Sequence, residues 1–252
     1  MNRILITGAS AGIGAALARA AAAPDVDFAL WGRDTLRLSS VAGECRARGA
    51  SAGSRVMDLR DAGAVAAAIV ATDEAAPIDL AVFNAGIGGV SLGRDGLEDA
   101  AHALDVATVD FVAVVAGATA VARRMAARGR GRIVVVGSVA DRLPLPMAPS
   151  YAGAKAGLLA FSRSLRGALA RRGVGITYVA PGFVKTAMSD SAPGPKPFML
   201  TSDDAARRIL AAARAGRAEL AFPLPYAILR SLAGFAPRAA AERAASAFAP
   251  RR

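Results

Sequence analysis

With 252 residues, 54% of them hydrophobic, the chain has the length of one large α/β domain and the apolar content of a compact globule, which excludes a disordered protein. One cysteine, Cys45, and one histidine, His102, exclude an internal disulfide and leave no metal-ligating cluster, so no metal is expected and a reducing compartment fits best. The net charge of +11 would suit nucleic acid, but the arginines are scattered, few aromatics interleave with them, and no nucleic-acid-reading motif occurs; the excess reads as solvated surface with some attraction for phosphate.

Arg3 to Thr7 reads as a short apolar strand that leaves no room for a targeting peptide. No uninterrupted apolar run reaches the roughly 20 residues of a membrane span, and the expected location is the cytoplasm. The strand feeds straight into Gly8-Ala9-Ser10-Ala11-Gly12-Ile13-Gly14, after which Leu17 and an alanine-rich run carry helical character. A strand, a glycine turn and a helix N-terminus make a seat for a pyrophosphate: backbone N–H groups point outward, the helix dipole favours anions, and missing Cβ atoms allow close approach. Val26 to Trp31 reads as the second strand, followed at once by Gly32, Arg33 and Asp34. A carboxylate near this point takes the ribose hydroxyls of NAD, whereas arginine accommodates an added 2′-phosphate, so Gly32-Arg33 favours NADP. Asp34 could still turn back to a ribose, or form an exposed Arg-Asp pair at a helix start.

Thr35 to Arg48 is amphipathic, with Leu38, Val41 and Cys45 on one face, which gives Cys45 a packing role. A weaker strand, Ser54 to Leu59, ends on Asp58, whose carboxylate could accept from an adenine amino group or cap the helix beginning near Asp61. Ile78 to Phe83 is another strand, ending in Asn84-Ala85-Gly86, where small residues let backbone approach a cofactor. Gly86 to Gly96 is expected to be a mobile loop near the rim of a site. Leu97 to Arg128 is helical in composition, as two helices joined near Ala107, with an apolar centre at Val109, Phe111, Val112, Val114 and Val115. A carboxylate inside that centre, Asp110, has to be paired or functional.

The most informative stretch is Arg132 to Lys155. The run Ile133 to Val136 ends at Gly137 and Ser138, a strand buried on both faces that delivers a hydroxyl at its carboxyl end. Tyr151 and Lys155 follow at a spacing of one helical turn plus about 40°, so phenol and ammonium share a face. A free phenol titrates near about 10; lowering that by about three units takes roughly 4 kcal/mol, which a cation about 4 Å away supplies at an effective dielectric of about 20. Tyrosine as acid, lysine as its tuner and the Ser138 hydroxyl as a fixed donor suit carbonyl reduction or alcohol oxidation.

Downstream, the helix Tyr151 to Arg172 presents Leu158, Phe161, Leu165 and Leu169 to a core, and Gly175 to Ala180 is a strand. Pro181-Gly182-Phe183-Val184-Lys185-Thr186 breaks the pattern where ligands sit in open α/β sheets, and the segment to about residue 200, with Pro193 to Pro197, reads as a lid. Thr201 to Ala215 is a helix with a Thr201 or Ser202 cap, and Glu219 to Phe222 is a last short strand. In the tail, Ile228, Leu229, Leu232 and Phe235 share a helical face with Arg230, Arg238, Arg243, Arg251 and Arg252 nearby. That face would cover the substrate pocket or a sister subunit, or lie on an anionic membrane. Strands alternating with helices throughout mean a parallel sheet with helices on both faces.

These residues together resemble the short-chain dehydrogenase/reductase family over nearly the whole chain. The family's T-G-x-x-x-G-x-G loop stands here as Thr7, Gly8, Gly12 and Gly14, its N-A-G as Asn84-Ala85-Gly86, its serine and Y-x-x-x-K as Ser138, Tyr151 and Lys155, and its P-G turn as Pro181-Gly182 with Thr186. The resemblance implies a single Rossmann-type domain, a doubly wound parallel sheet of about seven strands over residues 1–222, with 223–252 as its basic amphipathic tail. It implies a homodimer or homotetramer moving hydride between a nicotinamide and a small-molecule carbonyl or alcohol. Tyr151 would be the general acid/base, Ser138 would hold the substrate oxygen, and Lys155 would grip the nicotinamide ribose. Gly8, Ser10, Ala11, Gly12, Ile13, Gly14, Arg33, Asp58, Leu59, Asn84, Ala85, Gly86, Pro181, Gly182, Val184 and Thr186 would cradle the cofactor, NADP(H) in preference to NAD(H). The family commonly has asparagine where this chain has Asp110, holding a water in the proton relay; an aspartate can hold that water or pair with Lys155.

Leu143, Leu145, Pro146, Met147, Phe183 and Met188, close in sequence to these residues, favour a lipophilic substrate. The competing functions are an NADP-binding regulatory protein without turnover and a membrane-surface protein that uses its tail for peripheral contact.

Overall fold

The computed structural model describes residues 2–88, 90–191 and 194–234. Seven strands form one parallel sheet: β1 (Arg3–Thr7), β2 (Asp27–Gly32), β3 (Ser51–Val56), β4 (Leu80–Phe83), β5 (Gly131–Val136), β6 (Val174–Pro181) and β7 (Glu219–Phe222). Their spatial order is β3-β2-β1-β4-β5-β6-β7. From β1 the chain winds outward to β3 and then, through β4, outward to β7. The carboxyl ends of β1 and β4 therefore flank the crevice where the winding reverses, the place where open α/β sheets receive ligands.

Both faces of the sheet are covered, which explains why its strands read as unbroken apolar runs rather than alternating ones. Ile4, Ile6, Phe28, Leu30, Leu80, Val82, Val134 and Val136 face a layer made by α1 (Gly12–Ala21), α2 (Thr35–Ala47) and α8 (Ser202–Arg214). Leu5, Trp31, Ala81, Phe83, Ile133, Val135 and Tyr178 face the opposite layer, made by α3 (Ala62–Ala75), α5 (Ala113–Ala127) and α6 (Pro149–Leu169). At about 1.5–3 kcal/mol for each large aliphatic side chain taken out of water, these two clusters dominate the stabilisation. Cys45 is one of them, fully buried.

Leu97–Arg128 resolves into α4 (Ala100–Ala107), a π-helical segment at Thr108–Val112, and α5. The joint expected near Ala107 is thus a widened turn rather than a break, a form often found at functional sites. Within the continuous helical run Ala100–Ala127 an 18-residue stretch reaches a mean hydropathy of 1.8, so the run is long and apolar enough to cross a membrane by length and composition. One side of the run, with Val109, Val114, Val121 and Met125, is buried in the core, while Leu104 and Val112 are exposed.

Three sequence expectations are corrected. The third strand lies at Ser51–Val56, three residues before the expected start at Ser54, with Ser51 opposite Asp27 and Val56 opposite Gly32. Ser51-Ala52-Gly53 has little intrinsic strand preference; pairing with β2 imposes the conformation, and the strand is exposed at the sheet edge. The cap of α3 is Asp61, which accepts from the Ala64 amide at 2.8 Å, so Asp58 does not play that part. Arg230 is not a surface cation of the tail: in α9 (Leu224–Ala233) it is buried against Asp141. Phe235, Arg238, Arg243, Arg251 and Arg252 lie outside the described residues.

Candidate active site

The cofactor seat is built from backbone. Gly8 and Gly12 take φ values of 68° and 55°, the left-handed region that favours glycine. A Cβ on Gly14 would stand 2.1 Å from the Gly8 carbonyl oxygen, so the third glycine is required for the helix to close on the turn. The carboxyl ends of β1 and β4 are fastened to each other: Thr7 Oγ1 accepts from the amides of Asn84 and Ala85 at 3.0 and 3.2 Å, and Asn84 Nδ2 donates to the carbonyls of Thr7 and Gly8 at 3.2 and 3.3 Å. Asn84 therefore fixes the shape of the glycine turn. Ala11, the N-cap of α1, offers no side-chain oxygen to the first turn, which leaves that helix end to an anion. A diphosphate fits this cradle. Ser10 packs its side chain beside Gly32, and Ile13 packs on the core.

Around the seat, Arg33 is exposed just past β2. Asp34 caps α2 by accepting from the Arg37 amide at 3.0 Å and pairs with the Arg37 guanidinium at 3.3 Å, so it neither pairs with Arg33 nor turns back toward the seat. Asp58 lies beyond the end of β3, where it accepts from the Arg60 amide at 3.0 Å and pairs with the same side chain at 3.1 Å. The Arg60 amide, opposed by slight burial, is the foremost reason its carboxyl sits below the usual range. Leu59 is buried beneath it. Beyond β6, Val184 is buried and Thr186 caps the short helix α7 (Ala187–Asp190), bringing its Cγ2 within 3.0 Å of where a Gly12 side chain would begin. A Cβ on Gly182 would meet the Tyr226 ring at 2.6 Å, so its bareness lets α9 pack against this turn.

The reacting groups come from β5, α6 and the π-helical segment. Ser138 lies just past the end of β5 and opens a 3-10 turn at Val139–Arg142, its Oγ accepting from the Ala140 amide at 3.2 Å, which frees the hydroxyl proton to be donated outward. Tyr151 stands in the first turn of α6. That turn is capped from outside by Glu98, which takes the Ser150 amide at 3.0 Å and the Ser150 hydroxyl at 2.7 Å. Lys155 lies one turn further, its Nζ 5.2 Å from the centre of the Tyr151 ring, so phenol and ammonium face each other. Asp110 is fully buried in the π-helical segment and pairs with Lys155 Nζ at 2.9 Å. Its other oxygen accepts from the Ile87 amide at 2.5 Å, and Gly86 has no side chain to push it away. Asp110 thus takes up the pairing with the lysine. Burial presses the Lys155 ammonium toward neutrality, but Asp110 and then Tyr151 outweigh it, and the net displacement from lysine's ordinary value is upward.

Sequence reasoning missed Glu98, which holds the first turn of α6, and the buried cluster of Asp141, Tyr178 and Arg230 behind the Ser138 turn. Glu98 carries a helix-start signal, an acid two residues before Ala100, but nothing in its spacing points to Ser150.

The sequence profile described as short chain dehydrogenase matches residues 2–195. An uncharacterized oxidoreductase of Myxococcus xanthus is 33% identical over 235 residues, 92% of both chains. The chain belongs to the short-chain dehydrogenase family. It is accordingly an NAD(P)-dependent oxidoreductase. Gluconate 5-dehydrogenase of Gluconobacter oxydans is 34% identical to this dehydrogenase over 191 residues, 75% of the chain and 73% of the relative. The solved short-chain dehydrogenase of Sphingobium yanoikuyae in complex with NADPH superimposes with a TM-score of 0.83 at 28% identity, covering 93% of each chain. A cleft of about 490 Å³ lined by Asp79, Arg130, Arg132 and Gly175 opens at the amino edge of the dehydrogenase's sheet, away from Ser138 and Tyr151, and has no part in this site.

Proposed function

We propose that this dehydrogenase interconverts a lipophilic carbonyl and its secondary alcohol with NADP(H) in preference to NAD(H), using Tyr151 as general acid/base. The carrying observation is the buried Asp110–Lys155 pair at 2.9 Å set under the Tyr151 ring. A structural salt bridge gains little over an apolar pair and needs no phenol beside it.

In the reducing direction Tyr151 gives its hydroxyl proton to the carbonyl oxygen, and the Ser138 hydroxyl donates to that same oxygen as negative charge grows on it. Lys155 favours the phenolate left behind and offers a hydrogen bond to the nicotinamide ribose. Asp110, held by the Ile87 amide, fixes the lysine and shares its charge. The nicotinamide, when bound, supplies hydride to the carbonyl carbon or takes it back. Gly8, Ser10, Ala11, Gly12, Ile13 and Gly14 would hold the diphosphate, with Thr186 beside Gly12. Asn84, Ala85, Gly86, Pro181, Gly182 and Val184 would line the nicotinamide side of the seat, and Asp58 with Leu59 the adenine side.

Support for NADP(H) comes from Arg33, exposed and unclaimed by Asp34, and from the NADPH bound to the Sphingobium yanoikuyae relative. A lipophilic substrate is supported by aromatic and thioether groups on the lid side: Phe183 and Phe198 meet the Tyr226 ring edge-on at 5.9 and 6.4 Å, and Met188 and Phe198 remain exposed. Exposed Leu104 and Val112 on one helical run support a homo-oligomer.

The test is a screen of ketones, aldehydes and secondary alcohols with each nicotinamide, read by absorbance, on the parent and on Tyr151→Phe. We expect turnover with bulky apolar ketones and NADPH, and a loss of about a hundredfold or more in the variant with NADPH still bound. Equal rates in parent and variant would sink the assignment of Tyr151, and better rates with NADH would sink the role of Arg33.

A further inference from the structure

We propose that Arg230, Asp141 and Tyr178 form a buried positioning network that holds the Ser138 turn against the backbone of Lys155, making the helix α9 a working part of the catalytic centre. The inference rests on the roles given above to Ser138 and Lys155.

Arg230 Nε and Nη2 straddle the Asp141 carboxylate at 2.7 and 2.8 Å, and the two side chains are 7% and 0% exposed. Burying both charges gains little for stability over an apolar pair, so the geometry they impose is the more informative part. Asp141 belongs to the serine turn itself: its amide donates to the Ser138 carbonyl at 3.1 Å. The next residue, Arg142, brings its guanidinium within 2.6 Å of where a Cβ on Gly234 would stand, at the C-terminal end of α9. The turn thus grips α9 at two points.

Tyr178 carries the connection inward. It is fully buried on β6, and its ring lies 5.8 Å from the Arg230 guanidinium carbon. A Cβ on Gly137, the residue before Ser138, would stand 1.9 Å from the Tyr178 hydroxyl oxygen, so that hydroxyl lies directly against the end of β5. It donates to the Lys155 carbonyl at 3.3 Å. Burial above all, then Asp141, keeps this phenol well above its ordinary titration range, and it stays a donor at neutral pH. A second link closes the circuit: Arg163, two turns along α6 from Lys155, binds Glu219 at 2.7 Å, and Glu219 reaches Arg230 at 3.4 Å. Serine turn, lysine helix and α9 are tied in one ring that touches none of the glycine seat.

The experiment uses the full chain with Tyr178→Phe, which removes one oxygen, and with the double replacement Asp141→Leu/Arg230→Met, which removes both charges together. Measured are kcat and KM for the best ketone, NADPH affinity by fluorescence, thermal unfolding, and hydrogen exchange of residues 137–143 against 8–16. We expect both variants to fold and to bind NADPH within about twofold of the parent, while kcat falls by about ten- to a hundredfold and exchange rises at 137–143 alone. An intact kcat in a folded variant overturns the network, as does a loss of NADPH binding in proportion to turnover. Should the double variant fail to fold, Tyr178→Phe decides by the same criteria. If the parent reduces no carbonyl, the function proposed above fails by itself, and exchange at 137–143 still decides the network, an unchanged rate refuting it.

Discussion

At the scale of single residues, the site turns on how one carboxylate divides the charge of one lysine. Asp110 sits 2.9 Å from Lys155 and raises the pH at which that ammonium would lose its proton. Replacing it with asparagine keeps the shape and an acceptor for the Ile87 amide while removing the negative charge. For Asp110→Asn we expect turnover within about tenfold of the parent and, for alcohol oxidation, a rising limb moved to lower pH by about one unit, because one fewer anion opposes formation of a phenolate nearby. Initial rates from pH 5 to 10 check both, and a rising limb that stays in place would show that the carboxylate is electrostatically silent. Tyr151, Lys155 and Asp110 were legible in the sequence because spacing on a helix and an acid among valines are local signals. Asp141 and Arg230 were not, since 89 residues separate them and an arginine in a basic tail reads as solvated. Tyr178 was hidden for another reason: within Ile176-Thr177-Tyr178-Val179-Ala180 it looks like one more apolar strand residue, and its hydroxyl acquires meaning only from Gly137 and Lys155 on other elements.

At the scale of elements, the glycine turn separates glycines that are required from those that are incidental. A methyl on Gly14 would overlap the Gly8 carbonyl, whereas a methyl on Gly43, inside α2, meets nothing within 4 Å. Gly14→Ala should therefore lower the unfolding free energy by about 1–3 kcal/mol and weaken NADPH binding, while Gly43→Ala should raise stability by about 0.5–1 kcal/mol. Urea unfolding and nucleotide titration of the pair give the comparison, and a neutral Gly14→Ala would contradict the close packing described. Elements with strong patterns, β1, β7 and α8, fall where their sequences place them. β3 does not, because an exposed edge strand of Ser, Ala and Gly carries no periodic signal and borrows its shape from a neighbour. The widened turn at Thr108–Val112 was equally invisible, as a π-helical register has no composition of its own.

At the scale of the whole molecule, the sheet's amino edge is held by acids whose protonation sets the acid limit of the fold. Burial raises the Asp73 carboxyl, but the Ile78 amide, Arg124 and Arg128 together lower it further, and Asp79 likewise ends below its ordinary range through the amides of Asn2 and Arg3. A carboxyl depressed on folding contributes stability that is fully present above its unfolded value, about 4, and is lost as pH falls through the depressed folded value. The unfolding free energy should therefore stay level from neutral pH to about 5 and decline below about 4, more steeply because the positive net charge grows. Urea midpoints at a series of pH values test this, and a decline already complete at pH 5 would refute it. The alternation of strands and helices made the parallel sheet legible, and family likeness implied its doubly wound form; the order of its strands came only with the structure, since no local pattern states which strand lies beside which.

The order in which the ribosome delivers these parts now acquires a meaning. Every residue of the nucleotide seat is synthesised before β7, but the guanidinium that secures Asp141 belongs to α9 and emerges after all seven strands. A chain terminated before α9 should therefore carry every residue of its dinucleotide seat while Asp141 lacks its guanidinium, so that cofactor binding and the setting of the serine turn would come apart.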